Sequence, residues 1–280
     1  NEANKFSYQQ RVDELILTEA FMRKGYLINS SPEKPLQITI VGPTQAGKSS
    51  LVNVLLNSNV AEVSPLAGYT IHPQGFCVGV SQKDCSALQR YFGRFQQMQQ
   101  SLMPRTRHDC YSLTETDSEA LCVPKCVLWD TPDFDSIDSV VYREGVIRSI
   151  ALADIIILVV SKEKYADQSV WDIMSALEAL HQPTIICLNK VNEGSENILI
   201  ESLKEKWRLA RKDDFPEVVP LYYQKQTGLP VWPSQKSELF SVLATQVDHK
   251  KQSQFEQELL QKYWKNWVEP VIAEHNLLHD

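Results

Sequence analysis

The octapeptide Gly42-Pro43-Thr44-Gln45-Ala46-Gly47-Lys48-Ser49 constrains this chain more than any other stretch. It fits G-x-x-x-x-G-K-[ST] and lies between an aliphatic run, Gln37 to Val41, and a helical one, Ser50 to Leu56. Strand, glycine-bracketed turn and helix in that order predict a phosphate-binding loop. Glycines let the backbone curl until its N–H groups face an anion, and the helix N-terminus adds positive potential. Lys48 is expected to neutralise β- and γ-phosphates, and the Ser49 hydroxyl to hold Mg²⁺. Gly42, Gln45, Ala46, Gly47, Lys48, Ser49 and Ser50 are thus the nucleotide-binding residues expected here. A glycine-rich turn that happens to carry Lys is the bland alternative, and the flanking strand and helix argue against it.

The rest of the chain agrees with an α/β fold. Short aliphatic runs (Leu36–Val41, Phe76–Val80, Cys126–Trp129, Ile155–Val160, Thr184–Leu188, Val218–Tyr222) alternate with helical text. Continuous apolar strands separated by helices indicate a mostly parallel sheet covered on both faces, a three-layer architecture. Residues 1–35 are expected to be an N-terminal helix, stopped near Gly25, and a Pro-containing linker. Residues 36–228 form the nucleotide domain, with an insertion at about 82–124. That insertion should hold a helix with Leu88, Tyr91, Phe92, Phe95, Met98 and Leu102 on one face, capped by Asp84, and then a loop or edge hairpin over 104–124. Residues 229–280 read as a helical extension in which Pro270 kinks or ends a helix.

At 280 residues, 43% apolar and 22% charged, the chain can bury a full core. No apolar run approaches the ~20 residues of a membrane-spanning helix, and the first residues lack a signal-peptide pattern. The expected location is cytoplasmic; a first residue other than Met suggests a piece of a longer chain, with membrane association through absent C-terminal residues left open. Six cysteines without paired C-x-x-C spacing fit neither a disulfide framework nor a zinc site. A net charge of −7 gives no strong nucleic-acid signal.

Two further segments carry chemistry. Val127-Leu128-Trp129-Asp130 is an apolar strand ending in a carboxylate, as a Mg²⁺-side Asp requires. Alone it would read as an ordinary strand-end turn; beside the phosphate loop it reads as part of a metal site. No Glu follows Asp130, so the water-activating carboxylate of many ATPases is missing. Ile185-Ile186-Cys187-Leu188-Asn189-Lys190-Val191-Asn192 is another strand ending in polar residues, placed where open α/β sheets bind ligands. Asn189 is expected to hold the loop and meet the base, with the Lys190 stem along the base's flat face. The alternative for this stretch is a surface turn.

Together these motifs resemble the translation-factor-related GTPases, in particular their Era-like, tRNA-modification-GTPase and dynamin-like branches, over about residues 36–228. The resemblance implies GTP as ligand and substrate, Mg²⁺ held by Ser49, Thr70 and Asp130, and catalysis through Lys48, Thr70 and Asp130. Thr70 resembles the first-switch Thr, and Asn189, Lys190 and Asn192 the N-K-x-D base reader. Lys225, in Tyr222-Tyr223-Gln224-Lys225, falls where the last base-contacting loop should be. Three positions depart from the pattern. Asp133 replaces the glycine of D-x-x-G, bringing a carboxylate that repels a triphosphate unless it turns outward. Asn192 replaces the Asp of N-K-x-D, and losing one charged hydrogen bond to guanine costs roughly 1.5–3 kcal/mol. Phe134 stands where Ras-like enzymes place a water-orienting Gln.

Members with an apolar residue there draw catalysis from a partner subunit or a monovalent cation; Gln45 occupies the position of the Asn that many potassium-dependent members use. The resulting expectation is slow intrinsic hydrolysis in a switch or self-assembling GTPase, as unassisted Ras itself runs on the order of 10⁻⁴ s⁻¹. Its partners would be an unidentified protein effector and a second copy across the nucleotide face. A nucleotide-binding scaffold without turnover and an ATP-using or relaxed-specificity enzyme remain the alternatives. Arg105, Arg107 and His108, the basic helix around Trp207, Cys110/Cys122/Cys126 and His72 all read better as structure than as sites.

Overall fold

The computed structural model describes residues 2–30, 34–63, 70–116, 125–134, 139–168, 170, 171, 174, 178, 182–222, 233–246, 261 and 264–279. The strands are β1 (Leu36–Val41), β2 (Gln74–Val78), β3 (Gln96–Gln97), β4 (Cys110–Thr116), β5 (Cys126–Asp130), β6 (Ile155–Ser161), β7 (Thr184–Val191) and β8 (Glu217–Tyr222). They form one sheet in the order β3-β4-β2-β5-β1-β6-β7-β8. From β5 to β8 neighbours are parallel; β2 joins β5 antiparallel, so the β3-β4-β2 edge runs the other way.

Helices cover both faces, and alternation along the central strands decides which core each residue enters. One core joins Ile38, Ile40, Ile155 and Ile157 to Leu51, Val52 and Leu55 of helix α2 (Lys48–Leu56). The other joins Val127, Trp129, Ile156 and Leu158 to Leu203 and Trp207 of a later helix and to three earlier helices. These are α1 (Glu2–Ser30), α3 (Ala87–Phe92) and α4 (Ser139–Leu152). Two more helices follow, α5 (Glu196–Ala210) and α6 (Pro233–Gln246). Leu239, Phe240, Val242 and Leu243 of α6 are buried in the first core with Ile185, Val219 and Leu221. Beyond it, a π-helical turn (Trp264–Val268) leads into α7 (Glu269–His279). The three-layer α/β architecture read from the sequence is the fold observed.

Several local expectations change. Helix α1 runs through Gly25 to Ser30 because its inner face, with Ala20, Phe21 and Leu27, stays buried; packing overrides the glycine's propensity. The insertion helix is short. It stops at Phe92, before Gly93, and Asp84 does not cap it: its carboxylate accepts from the backbone N–H and hydroxyl of Ser81. Residues 110–116, expected as loop or hairpin, are strand β4, parallel to β2. Tyr111 and Leu113 enter the core and Tyr111 stacks on Phe92, ring centroids 4.1 Å apart. Pro270 is the second residue of α7, directly after the π-helical turn Trp264–Val268, so the helical hydrogen-bond pattern changes just before it. The terminal helices meet, with Arg11 of α1 donating to Glu274 of α7 at 3.1 Å. Residues 31–33 of the linker and Cys122 lie outside the described residues.

Candidate nucleotide site

The site is built at the carboxyl ends of β1, β5 and β7. The chain leaves β1 at Val41, turns through residues 42–47 and enters α2 at Lys48. The two glycines are required by close approach. A Cβ on Gly42 would lie 2.3 Å from the Val159 carbonyl of β6, and one on Gly47 would lie 2.3 Å from Asn189 Nδ2. Gly47 also takes φ 101° and Gln45, a non-glycine residue, φ 60°, a left-handed turn of the kind that aims backbone N–H groups into a concavity.

Lys48 is buried, and its ammonium donates to Gly42 O at 3.0 Å, to Pro43 O at 3.2 Å and to the Asp133 carboxylate. Asp133 therefore turns inward, onto the loop lysine, and not outward. Next to it, the Ser49 hydroxyl donates to Asp130 Oδ2 at 2.6 Å. Asp130 is the last residue of β5, paired across the sheet with Ile40 and Gln74, and Thr131 ties the following turn to Ile40 O at 2.7 Å. Its other oxygen, Oδ1, is buried with no hydrogen-bond partner among the described residues. Burial pushes the Asp130 carboxyl up to about 6, with the Asp133 charge adding to the rise and Ser49 and Lys48 opposing it.

The third segment closes on the loop. Asn189 Nδ2 donates to Ala46 O at 2.8 Å, its Oδ1 accepts from Lys190 N at 2.8 Å, and Lys190 Nζ donates to Gln45 O at 2.9 Å. Lys190 itself has φ 59°, which turns the strand end toward the loop. Asn192 is exposed, and its side-chain oxygen accepts from Lys162 Nζ at 3.1 Å. Sequence reasoning missed Lys162; its signal was a cation directly after the apolar run that ends at Ser161. Ser50 is half-buried in the first turn of α2. Thr70 is buried on the approach to β2, four residues before the Gln74–Asp130 pair. Phe134 packs half-buried against the second core. Lys225 lies outside the described residues. His72 is buried, its Nε2 2.5 Å from Arg107 O, and burial holds its pKa below the usual histidine value.

A buried carboxylate with one orphaned oxygen beside a serine hydroxyl is the donor set a hard divalent cation takes. The residues present fit Mg²⁺.

A family profile described as 50S ribosome-binding GTPase matches residues 37–190, a span holding the loop, Asp130 and the Asn189-Lys190 pair. The chain belongs to this GTPase family. The chain is also 48% identical over 48 residues to the tRNA modification GTPase MnmE of Rickettsia canadensis, a match covering 17% of this chain and 10% of that protein. Among solved structures, it superimposes on a bacterial dynamin from an oligomerised pair with TM-score 0.55 and 16% identity, over 99% of this chain and 58% of the other. Era from Aquifex aeolicus, bound to GDP·AlF4⁻, aligns at TM-score 0.47 and 20% identity, over 76% and 57% respectively. The chain thus spans about a tenth of the curated relative it matches and under two thirds of these two structures. As a family member it carries a GTPase domain over residues 37–190.

Proposed function

We infer that this chain binds GTP with Mg²⁺ at the loop of residues 42–49, hydrolyses it slowly, and uses the nucleotide state to control a partner or self-association. The observation that carries this is the convergence on one loop of Lys48, the Ser49–Asp130 pair and the Asn189–Lys190 pair, from three strand ends far apart in sequence. Backbone N–H groups of residues 45–49 and the Lys48 ammonium would hold the phosphates and meet the charge that spreads as water attacks the γ-phosphate in line. Ser49, Asp130 and Thr70 would hold Mg²⁺, which when bound neutralises charge on the phosphate oxygens. Asn189 ties the loop to β7, joining the base-side strand to the phosphate-side loop. Phe134 can neither accept nor donate a hydrogen bond to water, which is why turnover should be slow unless a second copy, another protein or a monovalent cation near Gln45 assists.

Calorimetric competition among GTP, ATP and XTP tests the base assignment, with GTP expected to bind tightest. Lys48→Ala should lower affinity for all of them by at least tenfold, since it removes charged hydrogen bonds worth ~1.5–3 kcal/mol each. Unchanged affinity in that variant would refute the site.

One observation favours a second reading, binding without turnover: the loop lysine is already engaged by Asp133. Single-turnover phosphate release at rising protein concentration separates the two. Release that accelerates with concentration supports a self-assembling GTPase; tight binding with no release supports the scaffold.

A further inference from the structure

An ammonium has three N–H donors, and Lys48 uses them on Gly42 O, Pro43 O and the Asp133 carboxylate. Two of those acceptors belong to the loop's own backbone. The third is an anion delivered from the segment after β5, and it occupies the position on Lys48 that an incoming phosphate oxygen needs. The pair is enclosed, its side chains 5% and 11% exposed, so solvent screens it little. Asp130 stands three residues away and is buried. Two carboxylates, Asp130 and Asp133, thus stand beside the Lys48 ammonium before any nucleotide arrives.

We propose that Asp133 is a specificity-determining residue: a resident counter-anion on Lys48 that biases this chain toward nucleoside diphosphate over triphosphate. The inference rests on the nucleotide-binding reading above and deepens it. A diphosphate exchanges one anion for another at the third donor of Lys48. A triphosphate brings a further phosphoryl group, with its added charge, toward a carboxylate tethered at the same place. Like charges in a poorly screened pocket repel, so the terminal phosphoryl group is the part of the ligand that Asp133 opposes. A diphosphate already takes Lys48 from Asp133; a triphosphate requires Asp133 in addition to draw back from the terminal phosphoryl group, which couples the third phosphate to the position of the turn at residues 131–134.

The test is calorimetric titration of GDP and of the β,γ-imido analogue of GTP, both with Mg²⁺, into the wild type, Asp133→Asn, Asp133→Gly and Asp133→Glu. Asn keeps the size and removes the charge, Gly removes the side chain, and Glu restores the charge. The wild type is expected to favour GDP. In the Asn and Gly variants the analogue should gain ~10–100-fold in affinity, the scale of one charged hydrogen bond, while GDP moves far less. The Glu variant should keep the wild-type preference. An unchanged GDP-to-analogue ratio in both neutral variants, with GDP still bound, overturns the role of Asp133 and leaves the nucleotide site standing. Absence of binding by either nucleotide to the wild type and to every variant sinks the nucleotide reading itself, and the two failures are told apart by the GDP titration alone.

Discussion

A carboxylate with one oxygen on a serine hydroxyl and the other facing nothing is costly to keep ionised in a buried site. Asp130 is that residue, and its cost has a sign. Its folded pKa of about 6 lies above the ordinary 3.8, so the ionised form is disfavoured by folding. The penalty is absent below about pH 3.8, grows between there and about 6, and is fully present above. Asp130→Asn should therefore hold or raise the urea midpoint of the metal-free protein at pH 7.5, while abolishing Mg²⁺-dependent tightening of nucleotide binding; a lower midpoint would mean that the carboxylate stabilises the fold. At this scale the octapeptide was legible because its geometry is local: glycines, Lys48 and Ser49 do their work within eight residues. The Lys48–Asp133 contact was not, because it joins positions 85 residues apart and its direction depends on how the turn after β5 packs. Charge repulsion alone left two outcomes, a carboxylate that repels a triphosphate or one turned outward; the buried Lys48 ammonium holds it inward.

Among elements, α1 is fastened by a buried ion cluster. Lys24 donates to Ala153 O at 2.7 Å and lies 3.3 Å from Asp154 Oδ1, which Lys34 also approaches to 3.3 Å. Asp154 Oδ2 accepts from the Gln37 N–H at the start of β1. Burial alone would raise the Asp154 pKa, but Lys24, Lys34 and that amide hold it below the usual carboxylate value. Its contribution is thus present above about pH 3.8 and is lost as pH falls further. Lys24→Ala removes one of the cations that hold this buried carboxylate. Losses of ~3–5 kcal/mol are typical of broken buried pairs, so the urea midpoint should fall by a corresponding amount, and acid unfolding should begin at higher pH. A midpoint within error of wild type would show that Lys34 suffices. Elements were legible where a run was continuously apolar or strongly helical. Strand β4 was hidden because it is amphipathic: Tyr111 and Leu113 face the core while Ser112 and Thr114 alternate with them, a period of two that a search for aliphatic runs passes over.

For the whole molecule, the open question is where the nucleotide domain ends. A boundary at residue 228 would cut off α6, yet four of its side chains are buried against β7 and β8. At ~1.5–3 kcal/mol for each buried large apolar side chain, they contribute about as much as the ~5–15 kcal/mol net stability of a typical domain. The described residues after α6 contrast with this: Ile272, Leu277 and Leu278 are exposed, and the Arg11–Glu274 bridge is exposed on both sides, a class of contact worth ~0–1 kcal/mol. A chain ending at residue 246 should therefore unfold cooperatively with a urea midpoint near that of the full sequence and keep its nucleotide affinity, whereas one ending at 228 should lose cooperative unfolding. The same pair of truncations separates two modes of self-association. If copies meet across the nucleotide face, the 246-residue chain retains any rise of phosphate release with protein concentration. If they meet through the terminal helices, it keeps the basal rate and loses the rise, because α7 and its contact with α1 are gone while Lys48, Ser49 and Asp130 remain in place.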